Sequence, residues 1–277
     1  MKKHLSISLS LLIAFFTLAL YAKSDQEKID LGKFDKNKLQ QIITVSSYFK
    51  DEGEKVDYVS SKFLDVPYVE DTLTGNEYTK EIFTVDLAGV DCFTYLDYVE
   101  ALSISDNYGD FFNNLKLVRY RNGVVDFKFR NHFFSDWAVY NNSRIKDVTK
   151  QVSGDKVISK LKHLNRKSTG DLYLPGIPVV DREIFYIPSE RVDDVIKKNL
   201  RDGDYVGFYT DTDGLDVSHT GIIIKNRDKL LLRHASSKEV NRKVVEEDFI
   251  SYIKSKPGIV VFRADKSKTE FACCKAD

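Results

Sequence analysis

Three side chains carry the chemistry legible in this chain: Cys92, His219 and His234. A thiol becomes a nucleophile when a base within hydrogen-bond reach takes its proton and a third group orients that base. Such partners meet in space rather than in sequence. His219 follows Asp216-Val217-Ser218 at the head of an apolar run, and His234 ends the next run, before Ala235-Ser236-Ser237. With a turn at Asn226-Arg227-Asp228 the two histidines, 15 residues apart, fall roughly opposite each other on one hairpin. One could take the thiol proton while the other holds the imidazole in the useful tautomer. The spacing does not say which does which. A single histidine at a strand end is ordinarily a packed, hydrogen-bonded residue, but a matched pair behind a cysteine favours chemistry. His219, His234 and Asp216 could instead hold zinc. No H-E-x-x-H or C-x-x-C spacing accompanies them, so neither a metal nor a cofactor is expected.

The cysteine needs an element to present it. After Cys92, apolar or aromatic residues recur at Phe93, Leu96, Val99 and Leu102, which is a helical stripe, and Ala88-Gly89-Val90-Asp91 reads as the turn that feeds it. Cys92 therefore falls at or beside a helix N-terminus, where unpaired N–H groups and the helix dipole favour a thiolate. A helix cysteine is more often a small hydrophobe. The start of the chain argues against that here. Lys2 and Lys3 precede an uncharged run from Leu5 to Ala22, closed by Ala22-Lys23-Ser24. Residues 1–24 have the form of a secretory signal peptide rather than a retained anchor. The expectation is a bacterial protein that is periplasmic or secreted, with no stable membrane association after cleavage. Of its three cysteines, Cys273 and Cys274 are neighbours that cannot bridge each other without strain. Cys92 is left as a free thiol in a compartment that oxidises thiols.

About 250 residues remain after the signal, ample for one core. Lys plus Arg and Asp plus Glu are equal at 42 each, so no basic excess recommends nucleic acid as a partner. The reading along the chain is a weak helix within residues 25–50, a strand at Ile82-Phe83-Thr84-Val85 and the Cys92 helix to about Ser105. A helix over Asn113 to Tyr120 follows, then an extended piece from Val124 to Phe129 and helix or loop from Asp147 to Leu161. The later half predicts a helix over Val192 to Leu200 and strands at 205–209, 217–225, 230–235, 243–245 and 259–263, with a helix from Glu246 to Ile253 before the last. Helices first and an antiparallel sheet second argue an α+β fold. The expected organisation is one catalytic domain over 25–277: a helical extension at 25–84, a core at 85–264 and a tail at 265–277.

The order Asp91-Cys92, Gly203-Asp204-Tyr205-Val206, His219-Thr220-Gly221-Ile222 and His234-Ala235 resembles the NlpC-type papain-like cysteine amidases of peptidoglycan. Their pattern is D-C at a helix, G-D-hydrophobic, H-x-G-I and H-A, and the match spans roughly residues 85 to 264. Longer strings narrow it: Arg119-Tyr120-Arg121-Asn122-Gly123, Arg130-Asn131-His132-Phe133-Phe134-Ser135-Asp136-Trp137 and Gly214-Leu215-Asp216-Val217-Ser218-His219-Thr220-Gly221. These look like the N-acetylmuramoyl-L-alanine amidase-like branch.

The resemblance implies a papain-like core with Cys92 as nucleophile, His219 as general base and His234 as its orienting partner. Backbone N–H groups at the helix start would form the oxyanion hole, and Asp91 would organise the turn. The family's acid near the fifth position after the cysteine would be Asp97 or, beyond it, Glu100. The implied reaction cuts the amide between N-acetylmuramic acid, in its reducing or 1,6-anhydro form, and L-alanine in peptidoglycan fragments. Rivals are a D-glutamyl-diamino acid endopeptidase or acyltransferase of the same superfamily and a non-catalytic muropeptide-binding module. Arg130, Asn131, His132, Asp136 and Trp137 offer donors, an acceptor and a stacking face suited to a sugar-peptide ligand; with Asp91 they are the expected substrate contacts. Oligomeric state is not legible.

Overall fold

The computed structural model describes residues 27–141, 144–227 and 229–265. The expected signal segment at 1–24, and Cys273 and Cys274 of the expected tail, lie outside the described residues. The described chain opens with strand β1 (Glu27–Asp30) and helices α1 (Lys36–Ser46) and α2 (Glu52–Ser61), followed by β2 (Phe83–Asp86), α3 (Cys92–Ser103) and α4 (Tyr108–Arg119). Next come α5 (Phe134–Tyr140), β3 (Ile145–Asp147), α6 (Thr149–Ser153), the long pair β4 (Ile158–Leu164) and β5 (Val180–Pro188), and α7 (Asp194–Asn199). Strands β6 (Tyr205–Tyr209), β7 (Val217–Asn226), β8 (Lys229–Ala235) and β9 (Val244–Asp248), helix α8 (Phe249–Ile253) and strand β10 (Gly258–Ala264) complete it. The helices have clear local causes. α1, α2, α3, α4 and α7 each start behind an Asp or Asn whose side chain accepts from first-turn N–H groups, and such a cap contributes about 1 kcal/mol.

The main sheet runs β4-β5-β10-β6-β7-β8-β9, with β3 also pairing β10, and its pairings are antiparallel. β1 and β2 form a separate parallel pair. Both faces of the main sheet are covered, so its central strands are apolar on both sides. Along β7, Ile222 and Ile224 join the cluster that contains α3 and α4, while Ile223 joins the opposite cluster with Phe208, Leu232, Phe249, Ile253 and Val261. That alternation follows from the two-residue repeat of a strand.

Helix α3 is buried from Thr94 to Ser103, so its two acids need partners. Asp97 accepts from Arg119 Nε at 2.9 Å, and Glu100 accepts from the Tyr205 hydroxyl at 2.7 Å. Burial still pushes Asp97 up to about 6 against the pull of Arg119. Both acids thus lock α3 to α4 and the sheet, and neither contacts the histidines.

The α+β reading and the antiparallel second half agree with the structure. Several local readings change. The helix expected within 25–50 is α1, preceded by β1; α2 occupies residues for which no helix was expected, and β4 begins within residues expected to be helix or loop. The piece expected to be extended from Val124 to Phe129 ends instead in a short 3-10 turn over Phe127–Phe129.

Candidate active site

The start of α3 is built by a reciprocal cap. Asp91 Oδ1 accepts from the N–H groups of Phe93 and Thr94, both at 2.8 Å, and the Thr94 hydroxyl accepts from the Asp91 N–H at 3.0 Å. Asp91 is therefore a positioning residue for Cys92. The same bonds narrow the expected oxyanion hole, because two helix-start donors are taken by Asp91 and the Cys92 N–H is the one left to consider. Cys92 is a half-buried free cysteine. Burial, and then the Asp91 charge, push its thiol up to about 12, and hydrogen bonds from Thr220 offset this only in part. The expected stabilisation of a thiolate is opposed here: the cap commits two first-turn donors to Asp91 and places a like charge beside the thiol, both of which favour the protonated form.

The histidines meet as the hairpin spacing predicts. His219 Nε2 lies 2.7 Å from His234 Nδ1. A further partner, absent from the sequence reading, continues the line: His234 Nε2 is 2.8 Å from Glu247 Oε2 on β9. Burial opposes the Glu247 charge, but hydrogen bonds from Lys238 and His234 outweigh it and hold this carboxyl below the ordinary glutamate value. An ionised carboxylate only accepts, and this settles the tautomers in sequence. His234 carries its proton on Nε2, so its Nδ1 accepts. His219 then carries its proton on Nε2 and leaves Nδ1 as a basic lone pair. Burial, then the charges of His234, Lys256 and Lys238, push His219 down to about 3. Burial also lowers His234, although Glu247 pulls the other way.

Strand β7 is tied to the helix start one residue beyond His219. The Thr220 hydroxyl donates to the Cys92 carbonyl at 2.7 Å. Two tyrosines complete the surroundings. The Tyr252 ring packs on His234 at 5.2 Å and on His219 at 6.1 Å. Tyr68 bridges to Val90, two residues before Cys92. Burial raises both phenols, and negative charge on Cys92 adds to the rise in each. The sequence pattern hides Glu247 because it places Glu246 to Ile253 in a helix, whereas β9 continues to Asp248 and the helix starts at Phe249; the tyrosines leave no comparable signal.

The segment from Arg130 to Trp137 is organised differently. Trp137 is fully buried, with its ring 4.9 Å from Tyr205 and 6.0 Å from Phe93. It fills the core and presents no stacking face, which corrects the expected ligand contact. Asp136 is buried, accepts from the N–H groups of His132 and Phe133, and pairs with Arg182 at 2.7 Å. Arg130 pairs with Glu81, and Asn131 donates to the Val118 carbonyl at 3.0 Å. His132 Nε2 sits 2.7 Å from the Phe127 carbonyl, and burial pushes this histidine down to about 4. These residues hold one another and their loop rather than an open cleft. Asp216 from the zinc alternative is likewise committed, accepting from the Ser135 N–H at 2.7 Å.

The chain has recognisable relatives. The family model described as N-acetylmuramoyl-L-alanine amidase-like matches residues 58–259. Among solved structures, an N-acetylmuramoyl-L-alanine amidase from Bacteroides uniformis superposes with a TM-score of 0.68 at 29% identity, covering 78% of this chain and 99% of that one. A Bacteroides fragilis protein carrying a provisional xylanase name has a TM-score of 0.63 at 30% identity, covering 74% and 99%. A Legionella pneumophila protein shares the fold with a TM-score of 0.67 at 21% identity, covering 83% and 94%. No curated protein matches.

Proposed function

Because the chain belongs to the N-acetylmuramoyl-L-alanine amidase-like family, we propose that it is a cysteine amidase. Its reaction is hydrolysis of the amide between the lactyl group of (anhydro-)N-acetylmuramic acid and L-alanine in peptidoglycan fragments. The observation that carries this reading is the relay His219–His234–Glu247, with steps of 2.7 and 2.8 Å, beside a helix that begins at Cys92.

In this mechanism His219 Nδ1 takes the thiol proton as Cys92 Sγ attacks the amide carbonyl. The tetrahedral oxyanion draws on the Cys92 N–H. His219 returns the proton to the alanine nitrogen as the C–N bond breaks. Water, deprotonated by the same imidazole, then cleaves the thioester and frees the lactyl carboxylate. Imidazolium formed at His219 is stabilised through His234 by the Glu247 charge. A thiol pushed up and an imidazole pushed down suit this general-base route, in which charge develops only as the bond forms. The core is of the papain-like type, and the mature protein acts in the periplasm or outside the cell, in wall turnover or recycling.

The xylanase name of one relative has less support at this site. Glycoside cleavage uses two carboxyl groups about 5–10 Å apart across the scissile bond. Here Asp91 caps α3 and Glu247 orients His234, so neither is free for that work. The test is to incubate the mature protein and Cys92→Ala with anhydro-muropeptides and identify products by mass. Free stem peptides beginning at L-alanine, absent with Cys92→Ala, support the amidase. Cleavage between D-glutamate and the diamino acid would assign the protein to the endopeptidases, and binding without release would make it a binding module.

A further inference from the structure

Two cations without carboxylate partners lie over the two tyrosines described around the site. Arg242 lies over the Tyr68 ring, 5.6 Å from its centroid, and Lys256 lies over the Tyr252 ring at 5.3 Å. Neither enters an ion pair among the described residues. Lys238, also above Tyr252 at 4.8 Å, differs because Glu247 neutralises it at 2.9 Å. The two tyrosines reach Cys92 from different elements. Tyr68 comes from the stretch bridged to Val90, and Tyr252 from α8, whose ring packs on both histidines.

Arg242 is held there at a conformational cost. Its φ is 37°, in the left-handed region that an arginine seldom adopts. The turn that imposes this is tight: the Asn241 and Arg242 N–H groups both donate to the Lys238 carbonyl, at 2.9 and 2.8 Å, and the Tyr68 N–H donates to the Arg242 carbonyl at 2.9 Å. Such strain persists where the surroundings over-determine it, and here the Lys238 turn and the Tyr68 bond fix Arg242 over the Tyr68 ring. Unpaired cations resting on aromatic faces are pre-oriented for an anion, and a guanidinium fits a carboxylate in bidentate fashion.

We propose that Arg242 and Lys256 form the acid-recognising rim of the cleft and bind carboxylate groups of the peptide portion of the substrate. The proposal rests on the amidase reading and adds a selectivity to it: fragments whose stem peptide keeps free carboxylates are preferred over amidated ones. The rim acts in binding, so the KM ratio between acid and amidated peptides carries its effect; Lys256→Gln also removes a charge that lowers His219, and any change in kcat from that source is the same for both peptides.

The test compares muramyl peptides whose acidic residue is either free or amidated. Wild type is expected to show a KM about tenfold lower for the acid form. Arg242→Gln and Lys256→Gln abolish most of that difference, and Arg242→Lys restores part of it. Equal KM values for both peptides in wild type, or equal losses for both in the variants, would overturn the rim. Calorimetric binding to Cys92→Ala separates this from the amidase reading. Carboxylate-dependent binding without any hydrolysis by wild type would sink the amidase and keep the rim, while hydrolysis with carboxylate-independent binding would do the reverse.

Discussion

Two stretches of this chain are equally rich in reactive side chains, and the structure treats them in opposite ways. Around Cys92 the hydrogen-bonding capacity is left directional and incomplete: a half-buried thiol, a histidine with one nitrogen committed, and a carboxylate at the far end of the line. From Arg130 to Trp137 the charged groups are paired off, although Asn131 Oδ1 and Trp137 Nε1 are left without a partner among the described residues. Arg130 has Glu81, Asp136 has Arg182 and two backbone donors, and Trp137 is sealed among Phe93, Phe134 and Tyr205. Residue type alone cannot tell a reactive site from a buried polar scaffold. What separates them is whether the charged groups are already neutralised by partners.

The contrast is broken most easily by removing the groups on the reactive side. Cys92→Ala and His219→Ala should each lower kcat at least about a thousandfold while leaving the melting temperature close to wild type. On the closed side the effect should be on folding instead. Trp137→Ala should cost about 3–5 kcal/mol in denaturant unfolding, with the folded fraction still cleaving substrate. If Trp137→Ala stayed as stable as wild type and lost only substrate affinity, the scaffold reading of this segment would fail. Glu247→Gln sits between the two. It keeps the shape but no longer dictates the His234 tautomer, so kcat should drop about 10- to 100-fold with little change in KM.

The smallest effect concerns pH. With His219 pushed down to about 3, the base stays unprotonated as pH falls through the ordinary imidazole range. With the thiol pushed up to about 12, no thiolate accumulates near neutrality. Therefore kcat/KM, which reports the free enzyme, should change less than about twofold between pH 7 and pH 5, and the ultraviolet thiolate signal of wild type minus Cys92→Ser should be absent at pH 7. An acid limb centred near pH 6.5 would mean that a charged pair, rather than a neutral one, is the resting state.

The parts that were legible in the sequence are those with a local signature. The Cys92 helix announced itself through Asp91 and the apolar stripe, and the His219–His234 pairing followed from hairpin spacing alone. β4 was hidden because its first half is exposed: Ile158, Ser159, Lys160 and Leu161 all face solvent, so no buried alternation marks a strand there. β1 was hidden for the same reason, being exposed throughout. α2 shows only Val56, Val59 and Ser60 inward, too sparse a stripe for the pattern. Glu247 required the β8–β9 register, which pairs His234 with Val245 and Leu232 with Glu247, and no local rule supplies that. Trp137 misled because an indole suits a sugar face and a core equally well.

The central claim is that Cys92 forms a covalent bond to the muramyl side of the substrate. Acid-quenching a reaction with anhydro-muropeptide and weighing the intact protein tests it directly, since a thioester survives acid and the histidine can no longer activate water. The account predicts an adduct on Cys92 with the mass of the muramyl acyl group, lost in Cys92→Ala. Turnover without any adduct on Cys92, or an adduct with the mass of an alanyl-glutamyl group, would contradict it.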